Sequence, residues 1–241
     1  DDNVATGYQS LYTNTTGTRN VAVGEKCLYK NTVGNYNTAL GSRASFENTT
    51  GNNNVAVGKD ALYNNTTADY NTAVGTEALV TNSTGVQNTA TGYQALANNT
   101  TGGYNSAYGR HSLYSNTTGQ QNTALGRDTL STNTTGSFNV AVGQSVLGLN
   151  TTGGSNTATG YFAMLNNTTA VFNTANGYEA LRNNTTGQSN SAVGRSALYS
   201  NTTGSNNTAI GVQALIDNTT GNNNTATGYQ ALANTTTAAS N

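Results

Sequence analysis

The chain holds few groups suited to covalent or acid–base chemistry: a single histidine, His111, a single cysteine, Cys27, and ten carboxylates among 241 residues. Their spacing matters because the sequence repeats every seventeen residues, so residues seventeen apart share one slot of the unit. Slot seven reads Gln9, Lys26, Arg43, Asp60, Glu77. If copies stack, the Asp60 and Glu77 carboxylates lie on neighbouring layers, an arrangement that superficially resembles a paired acid–base site. The competing reading is a surface charge ladder, in which a pair such as Arg43 and Asp60 contributes about 0–1 kcal/mol. The ladder is the favoured reading. His111 also falls in slot seven, without a Ser or Cys nucleophile signature nearby, and reads as a surface residue. Cys27 fills slot eight, elsewhere mostly Ala or Ser, and reads as a small core residue with no intrachain disulfide partner. Neither a GGxGxD calcium roll nor a GxGxxG phosphate loop occurs. The expectation is a non-enzymatic chain with no catalytic residue, no metal and no cofactor.

Two sets of residues remain as candidate sites. Twelve copies carry Asn-Thr-Thr, or Asn-Ser-Thr, at slot twelve: Asn14, Asn48, Asn65, Asn82, Asn99, Asn116, Asn133, Asn150, Asn167, Asn184, Asn201 and Asn218. Each is formally an N-glycosylation acceptor, and each is equally explained as turn chemistry. Five tyrosines at slot six, Tyr8, Tyr93, Tyr161, Tyr178 and Tyr229, are candidates for sugar or surface adhesion, against the simpler reading of aromatics packing on adjacent coils. The Thr rows invite an ice-binding reading. Thr15 and Thr16 are adjacent, however, and an extended chain points them to opposite sides.

The element that must position these residues is the repeat itself, N-(T/V/S)-A-x-G-x-x-(A/S)-L-x-x-N-T-T-G-x-x. It runs in fourteen copies from Asn3 to the copy starting at Asn224, without insertion, and Asn241 opens a fifteenth. Residues 1–241 therefore read as a single repeat array. Seventeen residues are too few for a pair of packed helices, and Gly, Asn and Thr in each copy oppose helix propagation. The first five slots alternate with period two and predict a strand, the xxAL segment at slots six to nine is a second strand candidate, and NTTG closes the coil. The predicted fold is all-β: a parallel β-solenoid or β-roll of 14 coils with 17 residues per coil, in register and about 4.8 Å apart.

Invariant slots predict the interior. Ala holds slot three in every copy from Ala5 to Ala226, and slot nine is Leu except at Ser45, where Phe46 is expected to supply apolar volume, and at Met164. Asn at slots one and twelve predicts amide ladders. The charged residues at slots six, seven, sixteen and seventeen are expected to face water. One Leu and two small residues per coil bury little. The apolar residues at slot four, such as Val23 and Leu40, and at slot ten, Tyr12, Tyr29, Phe46 and Tyr63 among them, therefore predict self-association.

Nine basic against ten acidic residues leave no footprint for nucleic acid or an anionic membrane. No apolar run is long enough for membrane insertion, and no basic start with an apolar stretch marks a signal segment. Neither terminal copy has a capping pattern, so a longer array or rods joined end to end are expected.

The segments NVAVG and N(T/S)AVG followed by xxAL, at Asn54, Asn71, Asn139 and Asn190, resemble the SVAIGxxAxA head repeats of trimeric autotransporter adhesins and the NTAVG-type shafts of tail-fibre proteins. The unit departs from the adhesin pattern in its length and its NTTG segment. The resemblance implies a homotrimer of parallel β-rolls with apolar residues turned inward. The expected function is a structural fibre or adhesive shaft located extracellularly, on a cell surface or on a virion. Its partner is itself, as a trimer or an end-to-end filament, with surface glycans a further possibility. A glycan-coated fibril, a carbohydrate- or surface-binding adhesin and an ice-binding solenoid are the alternatives.

Overall fold

The computed structural model describes residues 2–238 and 240, so Asn241 lies outside the described residues. The chain is all-β and divides into two compact units, residues 1–121 and 122–241. The first carries β1 (Val4–Thr6), β2 (Val21–Val23), β3 (Thr38–Leu40), β4 (Val55–Val57), β5 (Thr72–Val74), β6 (Thr89–Thr91) and β7 (Ser106–Tyr108). The second carries β8 (Thr123–Leu125), β9 (Val140–Val142), β10 (Thr157–Thr159), β11 (Thr174–Asn176), β12 (Ser191–Val193), β13 (Thr208–Ile210) and β14 (Thr225–Thr227). Within each unit the strands pair in parallel and in register, Ala56 on Ala73 and Ala158 on Ala175, which makes each unit a β-solenoid with one coil per seventeen residues.

Among the described residues each coil contains one strand, and the expected second strand at slots six to nine is absent. Residues 59–64 form a chain of turns in which Asp60 and Leu62 have φ of 58° and 51°, following Gly58 at 133°. The physical reason lies in the core. A strand sends successive side chains to opposite faces, yet Ala61 and Leu62 are both fully buried. A left-handed residue at slot nine rotates the Leu to the same side as its Ala neighbour. That conformation costs a branched residue about 1–2 kcal/mol, against about 1.5–3 kcal/mol for burying the side chain. Stacking continues through these turns, because Leu62 N donates to Ala78 O at 3.0 Å and Asn64 N to Val80 O at 3.0 Å.

Burial follows the invariant slots. Strand Ala residues from Ala22 to Ala226 and slot-nine residues from Leu28 to Leu215 are buried. Asn amides replace a wide apolar core. Asn65 Nδ2 donates to Asn48 Oδ1 and to Ala68 O, both at 3.0 Å, and Asn82 Nδ2 donates to Asn65 Oδ1 at 3.0 Å. Slot one supplies a second ladder: Asn71 N donates to Asn54 Oδ1, and Asn71 Nδ2 reaches across the coil to Gly85 O, both at 2.9 Å. The slot-fifteen carbonyl thus receives amides from both sides of its coil. The slot-twelve ladder stops at Asn218, whose Oδ1 is buried without a partner because the next slot-twelve residue is Thr235.

Ser45 is also buried, but Phe46 does not fill the Leu position beside it. Its ring stacks in the slot-ten column, 5.0 Å from Tyr29 and 5.1 Å from Tyr63. Leu28 and Leu62 occupy the same slot one coil away on either side with the same φ as Ser45. We therefore expect Ser45→Leu to stabilise the fold by about 1–2 kcal/mol, the worth of a partly compensated Leu burial, read as a higher midpoint in urea unfolding.

Candidate functional site

Slot seven separates the two carboxylates instead of pairing them. Asp60 Oδ2 accepts from Arg43 Nη2 at 2.7 Å on one side, whereas Glu77 Oε2 accepts from Gln94 Nε2 at 2.6 Å on the other. Gln94 Oε1 in turn lies 3.0 Å from His111 Nε2. The column is a polar ladder running along the first unit. It is less exposed than its charge implied: Asp60 is buried, with Oδ2 paired to Arg43 and 3.8 Å from Lys59 Nζ, while its Oδ1 is buried without a hydrogen-bond partner. His111 is half-buried, with its ring 5.7 Å from Tyr93 and 5.1 Å from Tyr114.

Cys27 is fully buried, and its Sγ donates to Gly41 O at 2.6 Å. Burial pushes the thiol pKa up, against smaller opposing hydrogen bonds with the backbone of Gly41, Ala44 and Val23. A protonated, enclosed thiol fits the small-core-residue reading. Among the described residues no group of three or more His, Cys, Asp or Glu is placed to hold a metal ion, and no enclosed pocket is found.

The slot-twelve asparagines take a structural place that bears on the glycosylation expectation. Asn48, Asn65, Asn82, Asn99, Asn116, Asn133, Asn150, Asn167, Asn184, Asn201 and Asn218 are fully buried. Their Nδ2 groups face the coil interior: Asn116 Nδ2 donates to Asn99 Oδ1 at 2.8 Å and to Gly119 O at 3.0 Å. An N-linked sugar needs that same nitrogen and a path to solvent, and the folded coil provides neither. Asn14, half-buried, also donates to its Gly17 carbonyl and accepts from Asn31. The residue directly after Asn is engaged too, as in Thr49 Oγ1 donating to Thr66 O at 3.0 Å, whereas the acceptor-motif hydroxyl two positions on, such as Thr50, is exposed. We expect folded protein secreted by a glycosylating host to retain the bare mass of 24.7 kDa; an added mass on folded material would refute the ladder assignment.

The slot-six tyrosines are exposed, from 39% at Tyr161 to 72% at Tyr229. In the first unit Tyr8 and Tyr93 are five coils apart, and Tyr93 packs near His111; in the second Tyr161 and Tyr178 lie on adjacent coils with ring centroids 5.5 Å apart, and Tyr229 is three coils further on. At slot ten, Tyr12, Tyr29, Phe46 and Tyr63 stack face to face within 5.4 Å, so the rings bury one another and present mainly their edges.

A more regular aromatic row lies at slot seventeen. Tyr36, Tyr70 and Tyr104 in the first unit, and Phe138 and Phe172 in the second, are 50–63% exposed. They recur every second coil, separated by Asn53 and Gln87 in the first unit and by Ser155 in the second. The seventeen-residue period hides this row, because slot seventeen then reads as variable; a period of thirty-four reveals it. Each ring is carried on a left-handed residue, with φ from 59° to 64°. No known family, curated protein or solved structure matches the chain.

Proposed function

We propose that the chain is a non-enzymatic segment of an extracellular structural fibre, a shaft whose stacked coils supply length and stiffness and whose variable slots carry adhesion. The observation that supports this reading is the continuity of the interior within each unit: the same two Asn ladders, the same Ala row and the same inter-coil backbone bonds recur from rung to rung between the end coils. Such repetition spreads stability evenly along a stack and builds in resistance to local opening. Self-association is part of the proposal. The outer strand face exposes Leu40, Val74 and Tyr108 in the first unit and Leu125, Val193 and Ile210 in the second, and none of the charged residues lies on slots two or four.

The test is electron microscopy of the purified full chain with mass measured per unit length. Elongated particles carrying one or a whole number of chains per rung support a shaft, and a compact particle overturns it. Sedimentation equilibrium then separates a trimer or end-to-end filament from a monomer.

A further inference from the structure

We propose that the slot-seventeen aromatics form, within each unit, a binding row for a flat, extended β-1,4-linked polysaccharide: Tyr36, Tyr70 and Tyr104 in the first unit, Phe138 and Phe172 in the second. This goes beyond the shaft reading, because it assigns a ligand class and a surface to a chain that a plain spacer would not need. Three observations converge. The first is spacing. Tyr36, Tyr70 and Tyr104 lie two rungs apart, roughly 9.6 Å at the usual inter-strand distance. In a β-1,4-linked chain successive sugar rings are turned over, so the same apolar ring face returns at every second sugar, a repeat close to this two-rung step. An aromatic platform on alternate rungs meets equivalent faces in sequence.

The second observation is what lies between the rings. Asn53 and Gln87 occupy the intervening rungs and are exposed, and their carboxamides both donate and accept. Stacking groups alternate with groups suited to sugar hydroxyls. On the same coil segment the slot-fourteen residues Thr50, Thr67, Thr84 and Thr101 form an exposed hydroxyl row.

The third is energetic. A left-handed φ is tolerated best by Gly, Asn or Asp and is unfavourable for a bulky residue. Leu62 offsets that cost by being buried, whereas Tyr70 and Tyr104 are more than half exposed and make no ring or cation contact. Arg19 alone covers one face of a ring in this row, that of Tyr36, with its guanidinium carbon 5.2 Å from the centroid. Placing aromatics where they strain the backbone and bury little is the signature of a residue retained for contact with something else.

The experiment is co-sedimentation of the full chain with microcrystalline cellulose and with chitin, and with starch granules as the α-linked control. Retention on a β-1,4-linked solid and not on starch is expected. A variant with Tyr36→Asn, Tyr70→Asn, Tyr104→Asn, Phe138→Asn and Phe172→Asn should lose retention at least tenfold while unfolding at the same temperature or higher, because Asn suits the left-handed slot. Tyr→Phe at the three tyrosines should leave retention within twofold, since stacking needs the ring and not the hydroxyl. Moving one ring by the pair Asn53→Tyr and Tyr70→Asn keeps the aromatic count but breaks the two-rung step, and should cut retention several-fold. The proposal is overturned if wild type ignores both β-linked solids, if the five-site variant binds as well as wild type, or if the moved ring makes no difference. It is also overturned if the variants change only the sedimentation coefficient of the free protein, which would make the row a contact between copies. Failure on these counts leaves the particle dimensions that test the shaft untouched.

Discussion

Gly58→Ala is expected to destabilise the first unit by about 2–6 kcal/mol, whereas Gly228→Ala at the same slot costs only about 1–3 kcal/mol. Both glycines have strongly positive φ, 133° and 126°, so both substitutions pay the backbone strain of a side chain held where L-residues rarely go. They differ in what the added methyl meets. A Cβ on Gly58 would lie 2.6 Å from Gly75 O and 2.7 Å from Gly75 C, both backbone atoms fixed by the next coil, while a Cβ on Gly228 finds nothing within 4 Å. Denaturant unfolding of the two variants separates conformational strain from collision between rungs. Equal losses would show that strain accounts for everything and that the close approach of successive glycines is unimportant. Slot fifteen separates the two effects: its glycines lack the left-handed φ, a Cβ on Gly51 would lie 2.5 Å from Ala68 O, and yet Ala68 and Ala170 occupy that slot in a buried state, so the coil yields to a methyl where φ is unstrained.

The sequence carried this distinction in plain form, since slot five is Gly in all fourteen copies while slot fifteen is Gly in eleven and Ala in three. Invariance among copies also located the Ala row, the Leu row and both Asn ladders, because a buried slot in a translated stack meets the same neighbours each time. Three features were harder to read. The xxAL segment looked like a strand because it is short and ends on an apolar pair, yet Ala61 beside Leu62 already contained the contradiction: both are core types, and a strand buries only one of two neighbours. Only a backbone that changes hand between them reconciles the pair, and side-chain pattern does not report φ at a leucine. Asn-Thr-Thr carried two readings for a related reason. A motif defined by a modification reaction and a motif defined by amide stacking need the same residues, and they differ only in whether Asn65 faces solvent. Slot seventeen was missed because its regularity is a modulation of the main period: Tyr36, Asn53, Tyr70 and Gln87 look random at seventeen residues and ordered at thirty-four.

Replacing one ladder amide tests the interior most directly. Asn65→Leu removes the donor to Asn48 Oδ1 and the acceptor for Asn82 Nδ2, while Ala68 O keeps its second partner, Asn54 Nδ2. Asn48 Oδ1 loses its donor and one N–H of Asn82 Nδ2 loses its acceptor while the other keeps Gly85 O, and the expected loss is about 2–6 kcal/mol at about 1–3 kcal/mol for each. Asn218→Leu, at the end of the ladder, strands only Asn201 Oδ1, because Asn218 Oδ1 has no partner to lose, and should cost about half as much. Asn65→Asp adds a pH signature. The introduced carboxyl is desolvated and faces the acceptors Ala68 O and Asn48 Oδ1, so its folded pKa is raised above the unfolded value of about 3.9. With that sign the variant lies nearest to wild type below about pH 3.9, loses stability as pH rises toward the folded pKa, and levels off beyond it. Unfolding free energies of Asn65→Asp minus wild type, measured across this range, should therefore fall with pH. A flat difference would mean that water reaches the ladder and that the Asn columns are not the dry, hydrogen-bonded spine that holds each unit together.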